Sequence, residues 1–390
     1  MSRALTKSVE RASKTLVACR YSTSSLPVVH KLSAAAATAT RPQLTPIVHN
    51  GTQHQQLRHS SHSPMGAPPA NPRKKVTLQT IQNMYKKSEP ITMLTAYDFP
   101  SAHVADHAGI DLILVGDSLA MVSMGLEDTS EVTMEEMIFA SRAVARATKT
   151  AFIIGDLPMG SYEVNPEQAV RSSIEMIKKG RSHSVKLEGG KEMAPTIKAI
   201  TDAGIPVLAH VGLTPQRQNA LGGFRVQGKT AASAIALLTD ALAVQEAGAW
   251  GVVLEAIPPE IASIITAQLR IPTIGIGAGA GCSGQVLVQV DMLGNFPPGR
   301  YMPKFAKKYG NVWGEAHRAI EQYKNEVKAR TYPSKEYTYE VKPDEVRKFE
   351  QLVAERYGSR TRGQEQGLEG LGGTAVPEST PAAAAAAAAV

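Results

Sequence analysis

The chain has 390 residues, of which 43% are hydrophobic and 5% aromatic, so it can bury the core of one large domain or of two ordinary ones. Its net charge of +7 comes from residues 1–75, which hold 11 Lys and Arg and one acid, whereas the remaining 315 residues hold 31 basic and 34 acidic side chains. This distribution excludes a basic nucleic-acid-binding stripe on the folded body. A membrane span is not expected either, because the sequence has no run of about 18 apolar residues.

The first segment, residues 1–75, has the composition of an organelle transit peptide, because it is rich in Arg, Ser, Ala and Thr and nearly free of acids. It predicts import into the mitochondrial matrix, with a candidate processing site at Arg20-Tyr21-Ser22. The alternative is a disordered tail that is basic by chance. Of the two cysteines, Cys19 lies in this leader and Cys282 outside it, so a mature domain without a disulfide is expected.

Strand and helix patterns alternate through residues 76–332, which predicts a catalytic (β/α)8 barrel, the TIM-barrel fold. An open doubly wound sheet is the alternative. The predicted strands are residues 91–97, 111–116, 151–156, 184–188, 206–211, 251–255, 272–277 and 285–290. The predicted helices are residues 134–147, 165–179, 191–203, 231–247, 258–268 and 313–328.

The C-terminal part lies beyond the predicted barrel. Residues 333–358 predict a helical extension packed on the barrel, because apolar side chains recur at helical spacing from residue 346 to residue 357. Residues 359–390 are of low complexity and end in an Ala tract, which predicts a disordered tail.

Four of the apolar runs end on a carboxylate, namely on Asp117, Asp156, Glu188 and Glu255. The carboxyl ends of strands in such folds meet at one edge, where four acids would repel one another. A bound divalent cation relieves this repulsion most simply, and hard oxygen ligands without a Cys/His cluster favour Mg²⁺ over Zn²⁺. The sequence therefore predicts that Asp117 and Asp156, each placed after a glycine that lets the backbone turn sharply, bind the metal. The alternative is that each caps the next helix.

Lys186 and Glu188 are two residues apart on one strand, so their side chains face the same side. A lysine there is costly unless it pairs with an acid or holds an anion, such as a substrate carboxylate or keto oxygen. Both an internal ion pair and a substrate contact remain open. His210, at the end of another strand, is more often a core residue than a catalyst. Glu255, in an apolar setting, suits a general base, with helix capping as its alternative.

Nine motifs occur in an order that resembles the ketopantoate hydroxymethyltransferase family, over about residues 76–332. They are Leu94-Thr-Ala-Tyr-Asp98, Leu114-Val-Gly-Asp-Ser-Leu-Ala-Met121, Asp156-Leu-Pro, Val185-Lys-Leu-Glu-Gly-Gly190, His210-Val-Gly-Leu-Thr-Pro-Gln216, Gly222-Gly-Phe-Arg-Val-Gln-Gly228, Val253-Leu-Glu-Ala-Ile-Pro258, Ile274-Gly-Ile-Gly-Ala-Gly279 and Pro303-Lys-Phe-Ala306.

The resemblance implies transfer of a one-carbon unit from 5,10-methylenetetrahydrofolate to 3-methyl-2-oxobutanoate through a Mg²⁺-stabilised enolate, which gives 2-dehydropantoate for pantothenate synthesis. It implies a homo-oligomer, often a decamer, with small-molecule substrates. The roles that it implies are Asp117 and Asp156 as metal ligands that also contact the substrate, Glu188 as a further metal residue, Ser118, Lys186 and His210 as substrate-binding residues, and Glu255 as the proton acceptor.

Two other functions are compatible with the same pattern. One is another Mg²⁺-dependent lyase or mutase of the phosphoenolpyruvate mutase/isocitrate lyase-like barrels, although the reactive-cysteine loop of the lyases is not seen in the sequence. The other is a catalytically silent barrel used for binding, which the presence of all four acids disfavours.

Overall fold

The computed structural model describes residues 73–358, and within them eight parallel strands form a closed barrel. The strands are β1 Ile91–Thr95, β2 Leu112–Val115, β3 Phe152–Asp156, β4 Ser184–Glu188, β5 Val207–Gly212, β6 Gly251–Glu255, β7 Thr273–Ile276 and β8 Gly284–Leu287.

Each strand pairs in parallel with the next one along the chain, and β1 pairs with β8 to close the barrel. The predicted (β/α)8 barrel is therefore confirmed, and the alternative of an open doubly wound sheet is wrong. Because all eight strands run the same way, their carboxyl ends meet at one end of the barrel, which we call the mouth. The opposite end is called the floor.

Side chains alternate along each strand between the barrel interior and the surrounding helices. In β2, Leu112 and Leu114 belong to the apolar cluster inside the barrel, whereas Ile113 and Val115 belong to the cluster beneath the helices. The same alternation turns the even-numbered residues of β3, β4 and β5, and the odd-numbered residues of β6, towards the interior.

Helices occupy most intervals between the strands of the barrel, and further helices precede β1 or follow β8. They are α1 Leu78–Lys86, α2 Phe99–His107, α3 Met134–Ala147, α4 Pro166–Glu175, α5 Ala194–Asp202, α6 Gln218–Leu221, α7 Ala231–Glu246, α8 Pro259–Gln268, α9 Gln289–Leu293, α10 Val312–Lys328 and α11 Pro343–Tyr357. Within residues 73–358, none of these helices has the length and apolar character to cross a membrane.

Two helices at the start of the barrel were not predicted. Helix α1 begins after Thr77, which caps it, and its buried side chains Ile81 and Met84 join the interior cluster and cover the floor. Helix α2 begins after Asp98, whose carboxylate accepts a hydrogen bond from the backbone N–H of Ser101. The predicted strand 285–290 is too long, because β8 ends at Leu287 and α9 follows.

The C-terminal helix α11, Pro343–Tyr357, lies within the predicted extension 333–358 but does not have the predicted packing. None of its residues is buried, and Phe349 in its apolar stripe is 66% exposed. The expectation that this helix packs on the barrel is therefore wrong for the single chain. The predicted leader, apart from residues 73–75, and the predicted tail from residue 359 lie outside the described residues.

Candidate active site

Three neighbouring strands bring a buried charged cluster to the mouth of the barrel. Asp156 ends β3, Lys186 and Glu188 lie in β4, and His210 lies in β5. The strand register pairs Asp156 with Lys186 and Glu188 with His210, and the alternation turns all four side chains inward. Each of the four residues is at most 4% exposed. The cluster lies at the end of the barrel where TIM-barrel active sites are built.

Lys186 is the centre of this cluster. Its Nζ donates hydrogen bonds to both carboxylate oxygens of Asp156, at 2.9 and 2.8 Å, and lies 3.5 Å from Oε1 of Glu188. Burial by itself lowers the pKa of this ammonium group, but the charges of Asp156, Glu188 and Asp117 raise it above its ordinary value. Lys186 is therefore held in its charged form.

Asp117 follows β2 and meets Asp156 across the mouth. Its backbone N–H donates to Oδ2 of Asp156 at 3.2 Å, and its own Oδ2 accepts a hydrogen bond from Nε2 of Gln216 at 2.8 Å. Burial, followed by the charge of Asp156, raises the pKa of Asp117 well above its ordinary value. Burial also raises the pKa of Asp156, although Lys186 opposes the shift. The cluster thus contains more carboxylates than its single lysine neutralises.

This excess of buried negative charge, carried by hard oxygen atoms, fits a divalent cation of the Mg²⁺ type. Among residues 73–358, however, no three His, Cys, Asp or Glu side chains stand in an arrangement that could hold an ion together. The fit is therefore with a site of two carboxylates, Asp117 and Asp156, whose remaining ligands are water and substrate, which is how Mg²⁺ is usually bound. Glu188 lies beside Lys186 and His210, in a supporting position.

The glycines before the two aspartates do not act as the sequence suggested. Neither Gly116 nor Gly155 has a positive φ, so neither is needed for a sharp turn. A Cβ on Gly155 would lie 2.5 Å from Sδ of Met176, which belongs to the π-helical turn Met176–Gly180 that extends α4. A side chain at position 155 would therefore have to displace the buried side chains of Met176 and Ser182.

His210 lies between two carboxylates. Its Nδ1 is 3.4 Å from Oε1 of Glu188, and its Nε2 is 3.2 Å from Oε2 of Glu255. Burial and the charge of Lys186 lower the pKa of His210, but the contacts with Glu188 and then Glu255 outweigh them and raise it to about 9. The raised pKa favours the imidazolium form, which lies within ion-pair distance of Glu188 and Glu255, although neither ring nitrogen makes a hydrogen bond with residues 73–358.

Glu255 ends β6 and stands apart from the other acids, with 14% of its side chain exposed. The next residue, Ala256, has a φ of 50°, a left-handed conformation that is unfavourable for a residue with a Cβ. Its backbone is held there by hydrogen bonds, since its N–H donates to the carbonyl of Ile276 and its carbonyl accepts from Gln227. This strained turn fixes the direction in which Glu255 leaves the strand.

Ser118 follows Asp117 at the mouth and is half-buried, with its Oγ close to Gly116. The structure therefore brings Asp117, Asp156, Lys186, Glu188 and His210 into one network, with Glu255 at its edge and Ser118 beside it. Two members of the network were not predicted, Gln216 and Tyr162, which are 2% and 0% exposed. Gln216 ends a motif that begins at His210, so its signal was present in the sequence, whereas nothing marked Tyr162.

Comparison with solved structures finds barrels of low sequence identity. Phosphonopyruvate hydrolase in complex with oxalate and Mg++ has a TM-score of 0.44 and 15% identity, over 72% of this chain and 99% of that chain. A 2,3-dimethylmalate lyase, described as a PEP mutase/isocitrate lyase superfamily member, has a TM-score of 0.45 and 15% identity, over 73% of this chain and 99% of that chain.

Sequence relatives are much more similar. A protein of Emericella nidulans named 3-methyl-2-oxobutanoate hydroxymethyltransferase is 67% identical over 77% of this chain and 86% of its own length. A rice protein named 3-methyl-2-oxobutanoate hydroxymethyltransferase 2, mitochondrial, is 48% identical over 68% of this chain and 67% of its own length. The sequence model of ketopantoate hydroxymethyltransferase matches residues 75–335, the whole barrel and α10. The chain therefore belongs to the ketopantoate hydroxymethyltransferase family.

Proposed function

We propose that this protein is a hydroxymethyltransferase that joins the one-carbon unit of 5,10-methylenetetrahydrofolate to 3-methyl-2-oxobutanoate, with water supplying the hydroxyl oxygen and tetrahydrofolate leaving, which forms 2-dehydropantoate for pantothenate synthesis. The observation that carries the proposal is the network at the mouth of the barrel, in a protein of this family. In it, Lys186 and His210 contact three carboxylates, and the backbone of a fourth acidic residue joins them through a hydrogen bond; the four acids are Asp117, Asp156, Glu188 and Glu255. The names of the relatives favour this reaction over that of another enolate-handling lyase or mutase.

The first chemical step is removal of a proton from the carbon next to the keto group. Glu255, at the edge of the network, accepts this proton, and the charged His210 beside it holds the carboxylate in place. Negative charge then develops on the keto oxygen of the substrate. Lys186, which stays protonated, and the hydroxyl group of Ser118 hold the keto acid while this charge develops.

The residues that would hold Mg²⁺ are Asp117 and Asp156, with Glu188 supporting them through its contacts with Lys186 and His210. When bound, the ion supplies a Lewis acid that polarises the keto oxygen of the substrate. Asp117 and Asp156 thereby also orient the keto acid. The methylene donor enters from the open end of the mouth, since the floor is covered by α1.

Location, assembly and domain limits are further parts of the proposal. The basic, acid-poor residues 1–75 and the word mitochondrial in the name of the rice relative support a location in the mitochondrial matrix. Fusion of residues 1–75 to a fluorescent protein tests it by microscopy. The decamer, and the division into a leader 1–75, a barrel 76–332, an extension 333–358 and a tail 359–390, stay predictions that sedimentation and limited proteolysis can check.

The test of the reaction is an assay of the purified protein with both substrates and Mg²⁺, in which 2-dehydropantoate is measured. Glu255→Gln keeps the shape of the side chain but cannot accept the proton, so we expect turnover to fall on the order of 10²- to 10⁴-fold. Glu260→Gln, in an exposed position of α8, is the matched control and keeps full activity. Absence of product from the wild type with Mg²⁺ present would refute the proposed reaction.

A further inference from the structure

Gln216 contacts the carboxylate network through both its side chain and its backbone, although the sequence did not mark it as a site residue. It lies in the short 3₁₀ turn Pro215–Arg217 that follows β5 and is 2% exposed. Its Nε2 donates to Oδ2 of Asp117 at 2.8 Å and to the carbonyl oxygen of Leu157 at 3.0 Å. Its Oε1 accepts a hydrogen bond from the hydroxyl group of Tyr162 at 2.6 Å.

These partners allow only one orientation of the Gln216 amide. The carbonyl oxygen of Leu157 can only accept, so the NH₂ group must face it and Asp117. Burial, followed by the charge of Glu188, raises the pKa of Tyr162 above its ordinary value, so the phenol keeps the proton that it donates to Oε1. A flipped amide would place its oxygen against two acceptors and lose the hydrogen bonds to Asp117 and Leu157.

The backbone of Gln216 reaches a second acid. Its N–H donates to Oε2 of Glu188 at 3.1 Å, and the N–H of Glu188 in turn donates to the hydroxyl oxygen of Tyr162 at 3.3 Å. Gln216 alone therefore holds two carboxylates, that of Asp117 after β2 and that of Glu188 at the end of β4. The aspartate is held by the side chain and the glutamate by the backbone.

We propose that Gln216 is a positioning residue that fixes the carboxylate of Asp117 for cation binding, and that Tyr162 locks the Gln216 amide in the required orientation. Gln216 holds Oδ2 of Asp117, and Oδ1 receives no hydrogen bond from residues 73–358, so Oδ1 would be available to an ion. This inference rests on the two-carboxylate metal site of the proposed function. Partners of this kind typically contribute 10- to 100-fold to metal affinity.

The experiment measures Mn²⁺ binding to the full chain by electron paramagnetic resonance of free Mn²⁺, without substrate and at a temperature at which every variant is folded by circular dichroism. Gln216→Met keeps the length of the side chain and removes its hydrogen bonds, so the dissociation constant for Mn²⁺ rises about 10- to 100-fold. Gln285→Met is the matched control, because Gln285 donates a single hydrogen bond to the carbonyl of Gly279 and is exposed. The affinity of this control stays at the wild-type value.

Tyr162→Phe is the second variant and decides the outcome if Gln216→Met does not fold. It keeps the ring and removes the hydroxyl group, which orients the amide and also accepts a hydrogen bond from the N–H of Glu188, so the dissociation constant for Mn²⁺ rises severalfold and less than in Gln216→Met. A folded variant of either kind that binds Mn²⁺ like the wild type overturns the inference. Wild-type turnover is measured in the same samples. If the wild type forms 2-dehydropantoate while the variants bind Mn²⁺ normally, the role of Gln216 is refuted and the proposed function stands. If the wild type shows neither Mn²⁺ binding nor turnover, both proposals are refuted.

Discussion

At the mouth of the barrel, the interior side chains of β3, β4 and β5 are charged, and at the floor the interior side chains of the same sheet are mostly apolar. Phe152 lies at the floor of β3 and Asp156 at its mouth, four residues further along. Trp250, just before β6, packs its ring against Phe152, with a centroid distance of 6.1 Å. One set of strands therefore supports two environments of opposite polarity.

The two ends also differ in the partners of their buried polar groups. At the floor, the indole N–H of Trp250 donates to Oγ of Ser184 at 2.9 Å, and this hydroxyl donates to the carbonyl of Pro206. These two polar groups therefore have neutral partners. At the mouth, the buried carboxylates depend on Lys186 and His210 for compensation, and the proposed cation would add to it. The floor is built for stability, and the mouth retains unbalanced charge that a ligand can use.

The largest effect is expected from removal of the central charge of the mouth. Lys186→Met leaves Asp156 and Glu188 buried without their cation, so the free energy of unfolding should fall by about 3–5 kcal/mol. Turnover should fall on the order of 10²- to 10³-fold. Denaturant unfolding and the 2-dehydropantoate assay measure the two effects.

The control for this variant is Lys198→Met. Lys198 makes an ion pair of 2.7 Å with Asp202 on the outside of α5, where both side chains are 62% exposed. Loss of an exposed pair of this type costs about 0.3–0.5 kcal/mol and leaves the activity unchanged. If the two variants lost the same stability, the mouth would not contain the uncompensated charge described above.

The floor should respond in stability but not in chemistry. Trp250→Ala creates a cavity beside Phe152 and leaves Ser184 without its donor, so the free energy of unfolding should fall by about 3–5 kcal/mol. The KM for 3-methyl-2-oxobutanoate should stay at the wild-type value wherever the variant is folded. Phe139→Ala, at a position of α3 that is 75% exposed, serves as the control with little loss. A rise in KM for Trp250→Ala would show that the two ends are coupled.

The parts of the barrel with strong periodic patterns could be predicted from the sequence. The bounds of β4, β6 and α3 match their predictions, because β4 alternates polar and apolar residues, β6 is a continuous apolar run and α3 has a regular apolar stripe. Helix α2 was missed because the residues that it buries, Ser101, Ala102 and Ala105, are small and contribute little to an apolar pattern. Its capping residues were the available signal.

The site was predictable to the extent that it lies at strand ends. The placement of Asp156, Glu188 and Glu255 follows from the apolar runs that precede them. The contact of Gln216 with Asp117 could not be predicted, because the two residues are 99 positions apart and only the closed barrel brings them together. Whether Glu188 binds a metal or only supports its neighbours could not be predicted either, because the answer depends on distances between side chains in the folded barrel.

The smallest effect is a pH dependence that arises at the floor. His183, which packs on Phe152, accepts a hydrogen bond from the backbone N–H of Ile153 on its Nδ1 at 2.9 Å. Burial, and then the charge of Lys75, lower its pKa from 6.5 to about 4. As the pH falls, His183 therefore binds a proton near pH 6.5 in the unfolded chain but only near pH 4 in the folded chain.

The resulting stabilisation is complete above pH 6.5 and is lost as the pH falls towards 4, and after allowance for solvent screening it amounts to about 1 kcal/mol. His183→Asn keeps an acceptor for Ile153 but does not titrate, so the free energy of unfolding should lose this part of its slope between these pH values. His317→Asn, in an exposed position of α10, should keep the slope. An unchanged slope in His183→Asn would mean that the floor does not exclude the proton, and the contrast in polarity between the two ends would be weaker than the packing indicates.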